Sequence, residues 1–197
     1  VVAPVLAEAC VDRGAHCHFV VVAESKSYGC LLTIGLRDPI ECSRRRRLEM
    51  QEAVAIFGGD VEFLGLEDLF YAFNQQGMLH VIRDWANSAG GRDRLVEKFL
   101  KILKREQPAL VFTFDPRHGS SCHAAHRATA TLLIEAIRRL PKARQPDVWL
   151  EQTTDIDEKV PKARAVIEAL GYVGWPDTAN ETVWYDATRS LKDGRTG

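Results

Sequence analysis

RDRLVEKFLKILKREQPALVFTFDPRHGSSCHAAHRATATLLIEAIRRLP, residues 92–141, reads in turn as helix, strand, loop and helix. In its first part Leu95, Phe99, Ile102 and Leu103 recur at helical spacing on one side, and Pro108 stands beyond the end, so residues 92–107 predict an amphipathic helix. ALVFTF, 109–114, is short, apolar and rich in β-branched and aromatic residues, which predicts a buried strand. The loop that follows leads into a second helix beginning near His123.

The same alternation extends in both directions. Upstream, VLAEACVDRG (5–14) predicts a helix with Val5, Leu6, Ala9 and Cys10 on one stripe and Gly14 just past its end. VVAP (1–4) reads as the tail of a strand before it, and HCHFVVVA (16–23) as a strand covered on both faces. SRRRRLEMQEAVAIFGG (43–59) predicts a helix capped by Ser43, with Leu48, Val54 and Phe57 inward and Gly58-Gly59 as its stop. VEFLGL (61–66) is a strand, Tyr71 to Gly90 a helix, and DVWLEQTT (147–154) a strand. A short strand is expected at ETVWYDA (181–187), in a C-terminal part that is otherwise too mixed to read. Strands alternating with helices of this length imply parallel pairing. The expected fold is α/β, a Rossmann-like open and mostly parallel sheet with helices on both faces, in one domain over 1–197.

Composition removes several classes of function. A net charge of -1 with interspersed signs lacks the basic excess of a sequence-independent nucleic-acid binder. The one dense basic run, Arg44 to Arg47, reads as a solvated helix face. No apolar run is long enough for a membrane span, and no signal segment opens the chain. With Val1 rather than Met as the first residue, the start of translation is expected upstream. Five cysteines without a C-x-x-C spacing argue against a disulfide framework or zinc knuckle and for a reducing, cytoplasmic setting. No G-x-G-x-x-G or G-x-x-x-x-G-K is present, so nucleotide binding has no anchor.

Ligands of open parallel sheets bind beyond the carboxyl ends of the strands. Asp115, Arg117, His118, His123 and His126 all follow the ALVFTF strand directly. Residues three apart on a helix share a face, so His123 and His126 can enter one cleft, where the helix N-terminus favours negative charge. An H-x-x-H by itself is a weak motif, met more often as exposed surface or partial cap than as a metal site. Other candidates are weaker. His16 and His18 stand at the start of a strand, away from the functional edge, and read as structural; His80 lies mid-helix, and Cys122 is too close to His123 for a nucleophile and base.

VFTFDPRHGSSCHAAHRATATLLIEAI, with LAEACVDRGAHCHFVVVA and RRLEMQEAVAIFGGDVEFLGLEDL upstream, resembles the LmbE-like, or PIG-L, family of zinc-dependent N-deacetylases over residues 1 to about 140. The resemblance implies a Rossmann-like fold and hydrolysis of an N-acyl group, commonly N-acetyl, from a small amino-sugar or glycoconjugate substrate, with Zn2+ or another divalent metal as cofactor. It implies that His126 is a metal ligand and that His123 stabilises the oxyanion, as an imidazolium, or assists as an acid. By the crevice argument Arg46, near Glu49, and Asp68 are further substrate contacts, their plainer readings being a helix-surface ion pair and a loop cap. A homo-oligomer is compatible with all of this.

Two departures from the family stand out. The His-Pro-Asp-Asp-Glu motif after the first strand, which supplies a ligand His, a ligand Asp and the general base, is absent, and Ala125 occupies a position where the family often has Asp. Either the protein is an inactive α/β binding module or a loop is missing between Pro4 and Val5. The second is favoured, because a strand would otherwise run into a helix without the usual connector of about two to six residues. Residues 25–43 are a second place for such a seam.

Overall fold

The computed structural model describes residues 3–24, 30, 35–117 and 123–151, which fall into two compact units divided between Glu67 and Asp68. The expected strands at 181–187 and beyond Glu151 lie outside the described residues.

In the first unit α1 (Ala3–Leu6) runs on into a π-helical segment, Ala7–Asp12. Ala3 and Pro4 are therefore helical rather than the tail of a strand; proline's fixed φ suits the first turn of a helix. Of the expected stripe Cys10 is buried, while Val5, Leu6 and Ala9 are half-buried and Ala7 and Asp12 are buried instead, because more residues pass per turn in the π geometry. Gly14, at φ 64°, ends the segment as expected.

Strand β1 (His18–Glu24) pairs in parallel with β2 (Asp60–Glu67), from His18 opposite Asp60 to Glu24 opposite Glu67. Helix α2 (Pro39–Ile56) lies between them in the chain. It starts earlier than the sequence reading has it. Asp38 accepts hydrogen bonds from the N–H groups of Ile40 (2.9 Å) and Glu41 (3.4 Å), and Pro39 fits the first helical position. Ser43 is thus inside the helix and donates instead to Glu24 (3.1 Å). Val54 is buried as expected, and Phe57 stacks on Phe19 at 6.3 Å. Leu48 is not inward but 44% exposed. Gly58 takes φ 69° past the helix end.

The arginine run is a solvated face over three of its four residues. Arg44 and Arg45 bind Glu41, holding its carboxyl down at about 2, and Arg46 binds Glu49. Arg47 departs from this pattern. Its guanidinium donates to the buried carboxylate of Glu24 (2.7 and 2.5 Å) and lies 4.6 Å from the centre of the Phe63 ring.

The four cysteines among the described residues pair, Cys10 with Cys17 and Cys30 with Cys42. This corrects the expectation drawn from spacing: pairing depends on Cα approach, here 5.8 and 5.7 Å, which sequence spacing does not report. Cysteine usage therefore gives no ground for a reducing compartment. No helix among the described residues is long and apolar enough to cross a membrane.

The second unit contains α3 (Gln75–Ala89), α4 (Arg92–Glu106), β3 (Leu110–Phe114), α5 (Ala124–Arg138), a 3-10 turn at Lys142–Arg144 and β4 (Asp147–Glu151). Strands β3 and β4 pair in parallel, Leu110 opposite Asp147 through Phe114 opposite Glu151. The α/β architecture with parallel strands is thus present in both units. Leu95, Phe99, Ile102 and Leu103 are buried as the periodicity predicts, joined by Val96 and Leu100. Met78, Val81 and Trp85 of α3 and Ala128 and Leu132 of α5 are buried as well, and the three helices touch one another pairwise. Full burial of each large apolar side chain contributes about 1.5–3 kcal/mol. Helix α3 begins at Gln75 rather than at Tyr71, because Asn74 is extended and its side chain accepts from the Gly77 N–H (2.9 Å).

Candidate active site at the carboxyl end of β3

The chain leaves β3 at Phe114 and enters α5 at Ala124, with His123 as the residue before the helix. His123 is extended (φ -63°, ψ 128°) and makes no side-chain cap. Its ring centre is 4.9 Å from that of His126, so the helical spacing does bring the two imidazoles together. His126 lies nearly parallel to Phe114, with centres 4.3 Å apart and planes at 9°. The last residue of the strand therefore fixes the orientation of the second imidazole. His123 is flanked on another side by Phe73, at 5.2 Å between ring centres.

Burial and the neighbouring His126 hold the His123 imidazole below its ordinary value, with Asp68 opposing from a distance. Both effects work against the imidazolium that the family resemblance implies for His123. Its Nδ1 is buried and has no hydrogen-bond partner among the described residues, and such a group carries a desolvation cost until a ligand or solvent meets it. The sign of the pH effect follows. Below about pH 6.5, the unperturbed value, the unfolded chain takes up a proton that folded His123 resists, so stability falls as pH drops from there toward the folded value; above 6.5 the group contributes nothing. Thermal midpoints measured from pH 7.5 to 5 should fall more steeply in the wild type than in His123→Gln; equal slopes would contradict this environment.

The other expected residues take varied places. Asp115 is 1% exposed and accepts from the backbone N–H of Arg117 (2.7 Å) and from its guanidinium (2.6 Å to Nη2). Asp68 opens the second unit and acts on His123 electrostatically. Arg46 sits on α2 in the first unit, paired with Glu49 at 2.7 Å. His118 and Cys122 lie outside the described residues. His80 is mid-helix beside Tyr71, and His16 and His18 pair with Asp60, with His18 also reaching Glu62.

Sequence reasoning missed three residues of this region. Arg127 is 0% exposed, and its Nε donates to the Pro116 carbonyl (3.2 Å), tying α5 to the loop after β3. Its spacing from Ala124, Ala128 and Thr131 on the apolar stripe was the available signal. Phe114 and Phe73 were legible only as apolar residues.

Among the described residues no group of three or more His, Cys, Asp or Glu can hold a metal ion. His123 and His126 are two imidazoles, and zinc takes three or four protein ligands. The described residues thus do not form a complete zinc site.

Comparison with solved structures finds N,N'-diacetylchitobiose deacetylase from Pyrococcus horikoshii, crystallised with its inhibitor MPG, with a TM-score of 0.50 and 22% identity over 88% of this chain and 65% of that one. The chain therefore spans less than two thirds of that enzyme, and the likeness shows the α/β fold. The 4-carboxy-2-hydroxymuconate hydratase GalB from Pseudomonas putida KT2440 is similar at a TM-score of 0.46 and 19% identity, over 85% of this chain and 71% of that one. No curated protein sequence matches. The pattern of the PIG-L family, described as GlcNAc-PI de-N-acetylase, matches residues 2–137, so the chain belongs to the PIG-L family.

Proposed function

We propose that the protein is an amide hydrolase that removes an N-acyl group, N-acetyl first, from a small amino-sugar or glycoconjugate substrate. The observation that carries this reading is the paired, partly buried imidazoles of His123 and His126 at the carboxyl end of a parallel strand in a PIG-L family member. The deacetylase from Pyrococcus horikoshii acts on an N-acetylated amino sugar, which supports that substrate class.

A divalent metal, zinc first, belongs to this reading through the family, with His126 as one ligand. It would polarise the acyl carbonyl and activate water. The remaining chemistry is carried by the chain itself. His123, placed before the first turn of α5, donates an N–H to the oxyanion that develops on the carbonyl oxygen of the acyl group, where the free N–H groups of the helix also favour negative charge. Asp68 and His118, in the same unit as His123, are proposed substrate contacts.

The test is release of acetate from N-acetylglucosamine derivatives by the purified chain supplied with zinc, with metal content measured alongside. Acetate release with stoichiometric zinc is expected. The absence of a three-donor group among the described residues favours a second reading, a non-catalytic binding module of the same fold. Sugar binding without acetate release would establish that reading and overturn the first.

A further inference from the structure

Phe70 and Phe73 are large apolar side chains left 67% and 52% exposed, five and two residues before α3. They stand edge to face, with ring centres 5.9 Å apart and planes at 65°, and Phe73 touches His123. Exposed aromatic rings grouped against a site are a mark of ligand binding rather than of chance surface.

The segment that carries them is fixed from both ends. The Tyr71 hydroxyl donates to Asp84 on α3, and its ring meets His80 at 5.2 Å. Asn74 caps the helix through the Gly77 N–H. Gly77 itself is required: a Cβ there would lie 1.9 Å from the Ala72 carbonyl oxygen, so only glycine lets this backbone fold onto the first turn of α3. Rings held this way lose little freedom when a ligand arrives.

We propose that Phe73, with Phe70 beside it, is the platform on which the pyranose ring of the substrate lies, setting the sugar against His123. One face of a pyranose presents C–H bonds with a slight positive charge, and the face of a phenyl ring carries the complementary negative quadrupole. Asp68 acts on the same His123 electrostatically, and a carboxylate suits the hydroxyl groups on the edge of a sugar. This assignment rests on the amino-sugar reading given above and identifies its specificity-determining residue.

The test is binding of N-acetylglucosamine to the full chain, followed by saturation-transfer NMR, with acetate release assayed in parallel. Transfer is expected to be strongest to the C–H protons of one ring face. Phe73→Leu, which keeps an apolar side chain but removes the π face, should weaken binding about tenfold, the upper range for an aromatic contact, while Phe73→Trp should retain it. Binding lost in Phe73→Leu without acetate release in the wild type supports the platform and sinks deacylation. Acetate release with unchanged binding in Phe73→Leu sinks the platform alone. The platform is equally overturned if the wild type binds no sugar at millimolar concentrations, or if Phe73→Leu only converts an oligomer to a monomer in sedimentation.

Discussion

Exchange of His126 for alanine is expected to lower acetate release from an N-acetylated amino sugar by about a thousandfold or more, the upper range for removing one group that stabilises the transition state. Its ring is the better oriented of the two imidazoles, pressed flat on Phe114 at the end of β3 and within 4.9 Å of His123. Alanine removes the imidazole and leaves the other groups in place, since Arg127 still ties α5 to the Pro116 carbonyl. Bound zinc, measured by elemental analysis, should fall together with activity. The fold is checked by thermal melting, where loss of one partly exposed ring is a small effect. Full activity in His126→Ala would remove this residue from the mechanism and with it the observation on which the deacylase reading rests.

What the sequence made legible follows from which forces are local. Helical periodicity placed Leu95, Phe99, Ile102 and Leu103 in the core, because an amphipathic stripe is a property of consecutive residues. The i, i+3 spacing of His123 and His126 likewise became a contact. Helix starts were missed where a better cap lay outside the periodic segment: Asp38-Pro39 captured α2 ahead of Ser43, and Asn74 delayed α3. Long-range partners were not legible at all. Nothing in the spacing of Glu24 and Arg47 announces their ion pair, nor does the cysteine count reveal the two disulfides. The direction in which the His123 imidazole is shifted was illegible for the same reason, since burial and a neighbouring imidazole are properties of the folded environment.

Asp115→Ala should be the most destabilising change near the site, by about 3 kcal/mol, the low end of the cost of breaking a buried ion pair. The carboxylate is buried and answers Arg117 three ways, through the backbone N–H, Nε and Nη2. The Asp115 N–H meanwhile continues the β3–β4 pairing by donating to the Glu151 carbonyl at 3.1 Å. Removing the carboxylate strands a guanidinium whose side chain keeps 20% exposure, which is why the low end applies. A loss of that size is a large fraction of the about 5–15 kcal/mol that holds a domain together, and urea unfolding should show it as a lower midpoint at unchanged slope. Asp115→Asn, which keeps an acceptor for the Arg117 N–H but loses the charge, should fall between the two. The measurement separates two roles for this pair. If Asp115 and Arg117 brace the loop, stability falls and affinity for the sugar follows it only through loop disorder. If they contact substrate, as their place after β3 suggested, KM rises at a stability close to that of the wild type. The number of hydrogen bonds that Arg117 already directs into Asp115 favours the bracing role, because a guanidinium committed to one carboxylate has fewer donors left for a ligand.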